Sequence, residues 1–211
     1  MRDTLTALKS LGNIPVRSAT LESLFPNLRG KNQKVRQLER DGLVIRLKRG
    51  LYVCSREATG VALSPELIAN HLYAPSYVSM RAALSYYGLI PEAVYTMESM
   101  TVKHSRRFDT PIGRFAYTSM SREAFPIGVR VVDEGGYAFV MASGEKALCD
   151  MIANSPGVCL RYKTEAEAYI REDIRMDWES FVRMDPEVFE AYARVGKKAE
   201  SITTIVKLLR Q

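Results

Sequence analysis

The chain is short of the residues that build metal sites and disulfide frameworks. Its 211 residues include 3 cysteines and 2 histidines. Cys54, Cys149 and Cys159 are odd in number and show no Cys-x-x-Cys spacing, and His71 and His104 lie far apart. This argues against a zinc site or a disulfide network and predicts reduced thiols. Long hydrophobic runs are missing as well: no window approaches the roughly 18 consecutive apolar residues of a membrane helix. The opening Met1-Arg2-Asp3, with Lys9 soon after, lacks the apolar centre of a signal peptide. The expectation is a cytoplasmic protein without a membrane partner.

Equally absent are a Gly-x-x-x-x-Gly-Lys-Ser/Thr phosphate loop, a Gly-x-Ser-x-Gly elbow and a His-Glu-x-x-His helix. Asp133 followed by Glu145-Lys146 superficially fits a metal-dependent nuclease. That arrangement usually has a residue between the acid and the lysine, and Glu145 reads as a first-turn helix acid instead. No catalytic residue and no cofactor is expected, and the chain reads as a non-enzyme.

What is present is an uneven distribution of charge. Residues 1–60 hold 12 basic and 5 acidic side chains, a net of +7, whereas residues 61–211 hold 18 and 19, a net of −1. All the excess positive charge of a +6 chain therefore belongs to its first segment. Such a field attracts a polyanion, either nucleic acid or an anionic membrane surface.

Within that segment, Leu5, Leu8 and Leu11 make the apolar stripe of a short helix over 4–11, which Gly12 and Pro15 end. A second short helix is capped by Ser18 or Thr20, turns Leu21, Leu24 and Phe25 inward and closes at Pro26. A third is expected over 31–40, stopped by Asp41-Gly42. Val35 and Leu38 mark its buried side, with Leu28 near the same line if the helix begins early. Its opposite side carries Gln33, Arg36, Gln37 and Arg40, flanked by Lys31 and Lys34. Arginine pairs bidentately with guanine and glutamine with adenine, so this face suits the major groove, and the lysines suit phosphates. Residues 43–53 read as two β-prone runs around Lys48-Arg49-Gly50, a hairpin with Arg46, Lys48 and Arg49 as its basic residues.

Three short helices and a basic hairpin are the order of a winged helix-turn-helix, with the third helix in the groove and the wing on the backbone. A membrane-surface helix would be long and unbroken, unlike a segment interrupted by Gly12, Pro15, Pro26 and Gly30. Stacking aromatics typical of single-strand readers are missing from the third helix and the wing tip. Double-stranded DNA is the expected partner.

Residues 61–211 are expected to form a second, α+β domain with a mainly antiparallel sheet and a helical C-terminal tail. Ser64-Pro65-Glu66 opens a helix to about Leu72, and another runs over 78–87, ending at Gly88. Residues 94–103, 113–119, 129–133 and 137–142 are strand-like, the last two joined by Glu134-Gly135-Gly136. Ser143-Gly144-Glu145 begins a further helix, and helices are expected over 165–174, 178–184, 186–195 and 198–209. Arg106-Arg107 reads as a solvated loop able to extend a DNA footprint.

Three blocks, taken in order, carry a family resemblance. The first is Arg40-Asp41-Gly42-Leu43-Val44-Ile45-Arg46 through Arg49-Gly50-Leu51-Tyr52-Val53. The second runs over 79–91, with Ala82-Ala83-Leu84 and Tyr87-Gly88-Leu89-Ile90-Pro91. The third is Gly144-Glu145-Lys146-Ala147-Leu148-Cys149-Asp150. Together they resemble the AbiEi antitoxins of bacterial abortive-infection toxin-antitoxin systems. The resemblance implies a winged helix that binds inverted repeats in its own promoter and represses the operon. It also implies a C-terminal domain that opposes a nucleotidyltransferase-like toxin without a stable complex, and it assigns no catalytic residue. A ligand-responsive winged-helix regulator and a nucleotide-processing enzyme with a DNA-binding module are the rival readings.

Overall fold

The periodicities of the first fifty residues become helices packed on a small sheet. A computed structural model describes residues 2–210. Helix α1 (Arg2–Lys9) buries Leu8, and Leu5 and Leu11 pack beside it. After the two-residue strand β1 (Val16–Arg17), α2 (Ser18–Ser23) buries Leu21, and neither Ser18 nor Thr20 caps it: both lie within the helix, and the cap position is Arg17, which makes no side-chain cap bond. Helix α3 (Lys31–Arg40) buries Val35 and Leu38, spaced so that both fall on one side. Leu28 departs from expectation: the helix begins only at Lys31, and Leu28 is left 44% exposed.

Strands β2 (Val44–Lys48) and β3 (Leu51–Cys54) then pair antiparallel, and β1 adds to the far side of β3, in the order β1-β3-β2. Gly50 adopts φ 76° at the tip, a conformation a side chain would resist. The strands alternate between two apolar cores. Val44, Tyr52 and Cys54 join Leu8, Leu21, Val35, Leu38 and Ala58 in a smaller one. Leu47, Leu51 and Val53 face the larger one, built by the rest of the chain. The hairpin is thus a wall shared by both.

The remainder is a mixed α+β structure. Helices α4 (Arg56–Thr59) and α5 (Pro65–Leu72) are each capped by a serine hydroxyl, Ser55 and Ser64. Asn70 of α5 grips the strand beneath it by pairing with both backbone groups of Val140. Strand β4 (Ser76–Val78) and α6 (Met80–Tyr86) follow. Then come β5 (Thr96–Thr101), β6 (Arg106–Thr110), β7 (Gly113–Ser119), β8 (Val129–Asp133) and β9 (Ala138–Ala142).

The six-stranded sheet runs β6-β7-β5-β4-β9-β8. It is mixed rather than mainly antiparallel, because β5 pairs parallel with β7, and β4 with β9. Two strands the sequence hides cause this. The Arg106-Arg107 segment is an edge strand, and its turn returns β7 between β6 and β5, which forces β7 parallel to β5. Strand β4 occupies the middle of the sheet with all three residues buried, so it shows no alternation, and Val78 ends it instead of starting a helix.

Among the described residues the tail holds helices joined by turns and no strand. Helix α7 (Gly144–Asn154), capped by Ser143, runs through the larger core. Helix α8 (Lys163–Ala168) passes into a π-helical turn, Tyr169–Asp173. Helices α9 (Trp178–Val182), α10 (Pro186–Ala193) and α11 (Ala199–Leu209) complete it. Among the described residues no helix is long and apolar enough to cross a membrane.

Candidate nucleic-acid interface

The outward side of α3 is polar because its inward side is spent on Val35 and Leu38. Gln33, Arg36, Gln37 and Arg40 are exposed, and Lys34 is half-buried with its ammonium 5.6 Å from the centre of the Phe25 ring. With Arg46, which β2 presents from the side, these residues line an open groove of about 1140 Å³. Leu28 and Gly30 complete its floor, and Glu39 is its one carboxylate. Among the described residues none of its cations forms an ion pair, so their charge is available to a ligand. Lys31, in the first turn, does not line the groove.

Local geometry holds the helix in place. The Lys34 amide donates to Gly30 O at 3.1 Å, and at the other end the amides of Asp41 and Leu43 donate to Gln37 O and Leu38 O at 2.8 and 2.9 Å. The Gln33 side chain folds back over the helix start, its Oε1 lying 3.0 Å from where a Cβ on Gly30 would stand, a contact that a small swing of this exposed amide would relieve.

The structure divides the nine basic and amide residues that the sequence groups together. Arg46 joins α3, but Lys48 and Arg49 do not. The pairing of β2 with β3 slips between Arg46 (opposite Tyr52) and Lys48 (opposite Leu51), leaving Leu47 as an extra residue. Such a bulge re-aims the side chains that follow it. The Lys48 ammonium accordingly donates to Leu72 O, at the end of α5. Lys48 and Arg49 line a second, smaller pocket together with Arg17, Lys103 and Arg106. Sequence reasoning missed Arg17 and Lys103 there, and read Arg106 as a loop residue. The signal available was the Arg-Arg-Phe-Asp-Thr pattern, whose Phe108 side turns inward as a strand does.

A buried polar cluster lies in the larger core. Lys146 and Asp150, one turn apart on α7, are both wholly buried with Nζ and Oδ1 3.2 Å apart. Asp150 Oδ2 accepts from Tyr77 and Ser79 at 2.9 and 2.7 Å, while Lys146 donates to Ala124 O and sits 4.3 Å from the centre of the Tyr192 ring. Burial pushes the carboxyl up and the ammonium down, and each is opposed by the other's charge. Glu145 instead accepts from the amide of Asp185, and Asp133 from that of Gly135. Among the described residues no three His, Cys, Asp or Glu side chains converge as metal ligands.

Comparison of the chain with family models and with curated proteins finds no match.

Proposed function

We propose that this chain is a sequence-specific binder of double-stranded DNA whose residues 1–60 act as a winged helix-turn-helix. The observation that carries the reading is the outward face of α3. Two glutamines and two arginines, the side chains that pair bidentately with adenine and guanine, stand exposed on one side of a ten-residue helix with Arg46 beside them. In this reading Gln33, Arg36, Gln37 and Arg40 face bases, and Lys31, Lys34 and Arg46 face phosphates. Lys48 leaves the phosphate set because its ammonium is engaged by Leu72 O, and Arg49 because it lines the pocket of Lys48 rather than the α3 groove.

The three sequence blocks extend the proposal to an autorepressor and antitoxin of a bacterial toxin-antitoxin operon. Its targets are inverted repeats in its own promoter, and it opposes a nucleotidyltransferase-like toxin functionally. No residue is assigned a catalytic role.

The test is fluorescence anisotropy of the protein with its own upstream DNA and with a scrambled duplex across a salt series. The upstream duplex is expected to bind more tightly, with affinity falling on a log-log slope of about −0.9 per phosphate neutralised. Arg36→Ala should cost about 1–3 kcal/mol and relax specificity, whereas Lys34→Ala should weaken both duplexes alike. Equal affinity of the wild-type protein for the two duplexes would refute sequence-specific binding. For the antitoxin role, co-expression with the toxin gene beside it should restore growth, and a wild-type chain that fails to do so removes that part of the proposal.

A further inference from the structure

The second basic pocket gathers cations from positions that are distant in sequence. Arg17 comes from β1, Lys48 and Arg49 from the hairpin tip, Lys103 from the β5–β6 connection and Arg106 from β6. His71 also lines it, and no carboxylate does. None of the five cations forms an ion pair among the described residues. Converging like charges without a counter-charge is unfavourable, and more so where water is partly excluded. Lys48 registers this: burial first, then the charges of Arg106, Lys103 and Arg17, hold its ammonium below the ordinary lysine range.

Three of the five cations are also held in place. Lys48 Nζ donates to Leu72 O and Lys103 Nζ to Ala74 O, both at 2.5 Å, so two ammoniums bracket one short stretch of backbone. Arg106 lies 4.9 Å from the centre of the Phe108 ring and 5.9 Å from that of Tyr73. Tyr73 and Phe108 are themselves in contact, with centres 5.7 Å apart. Groups already fixed before a ligand arrives lose little freedom when it binds.

We propose that this seam between hairpin and sheet is a binding site for a small polyphosphate, such as pyrophosphate or the phosphate end of a nucleoside diphosphate. Five cations around a pocket of about 450 Å³ match a compact ligand with several negative charges. A duplex is instead met by the exposed side of α3 with Arg46 beside it, and the two sites share no lining residue. Because the ligand would touch both the hairpin and the sheet, its binding clamps the segment carrying α3 to the rest of the chain. The site stands independently of the DNA-binding reading.

The experiment is isothermal titration calorimetry of the full chain with pyrophosphate and with ADP. It compares the wild type, a Lys103→Gln/Arg106→Gln double variant, Arg17→Gln, and Arg36→Gln as a control. Each variant is also tested by anisotropy on a duplex of about 20 base pairs. Lys103, Arg106 and Arg17 are exposed, so the fold should survive, as unchanged circular dichroism would verify. One-to-one binding of either probe is expected, weakened about tenfold or more in the double variant and in Arg17→Gln and unchanged in Arg36→Gln. Absence of heat with both probes up to about 5 mM overturns the site, as does wild-type affinity in the double variant. A loss in the double variant confined to the duplex also overturns it, by assigning these cations to the DNA backbone.

Discussion

At the scale of single residues, the Lys146–Asp150 pair sets the largest energetic stake. Removing one partner leaves the other charge buried and uncompensated, a change worth about 3–5 kcal/mol. Asp150→Ala should therefore lower the urea midpoint steeply. Replacing both, as Lys146→Met/Asp150→Leu, should recover part of that loss but not all, because Tyr77 and Ser79 would still lack their acceptor. If the double variant were as unstable as Asp150→Ala, the uncompensated lysine would not be the cause.

Two thiols make stability depend on pH at the alkaline end. Burial pushes Cys54 up to about 11 and Cys149 well above its ordinary value. A folded-state pKa above the unfolded one means that the folded protein retains the proton longer. The associated stability is thus fully present below pH about 9 and lost as pH rises toward about 11, on the order of 2 kcal/mol for Cys54. Urea midpoints at pH about 8 and about 10.5 should fall, and fall less in Cys54→Ala/Cys149→Ala. An equal drop in that variant would assign the effect to other groups.

At the scale of elements, α3 illustrates what periodicity can reveal. Val35 and Leu38 on one side and Gln33, Arg36, Gln37 and Arg40 on the other follow from 3.6 residues per turn, a local property that needs no knowledge of the partner surface. Leu38→Ala would open a cavity in the smaller core and should cost about 2–5 kcal/mol. The same substitution should weaken DNA binding only in proportion to the unfolded fraction. A loss of binding at temperatures where the variant is fully folded would mean that α3 has shifted rather than melted. Strands were less legible. Strand β4, three buried residues between two neighbours, has no exposed side to betray its period, since even Ser76 is buried. Strand β6 is an edge strand with both arginines exposed, so it resembles a loop by composition. The bulge at Leu47 leaves no mark in the sequence, since it depends on which residues of β3 lie opposite.

At the scale of the whole molecule, the hairpin belongs to two cores at once. A chain cut to residues 1–60 would keep Val44, Tyr52 and Cys54 covered but strip the cover from Leu47, Leu51 and Val53. Such a fragment should bind an apolar dye and show lower helix content or self-association by circular dichroism and sedimentation. A monomeric, cooperatively melting fragment with the full chain's DNA affinity would show instead that the second core is dispensable for the first.

Local features were legible in the residues alone: where charge concentrates, which side of α3 is apolar, that Ser64 caps α5, and that residues 143–209 hold helices, although the cap at Ser55 was missed and α2 lacks the side-chain cap expected of it. These depend on neighbours within a turn or two, which the row of residues displays directly. Long-range packing set the strand order, the two parallel pairings and the destination of Lys48 and Arg49. Each of those rests on contacts between residues tens of positions apart, such as Lys48 with Leu72 or Arg106 beside Tyr73. Side chains that read alike along the chain were sorted into two sites by one slipped register and one hidden edge strand.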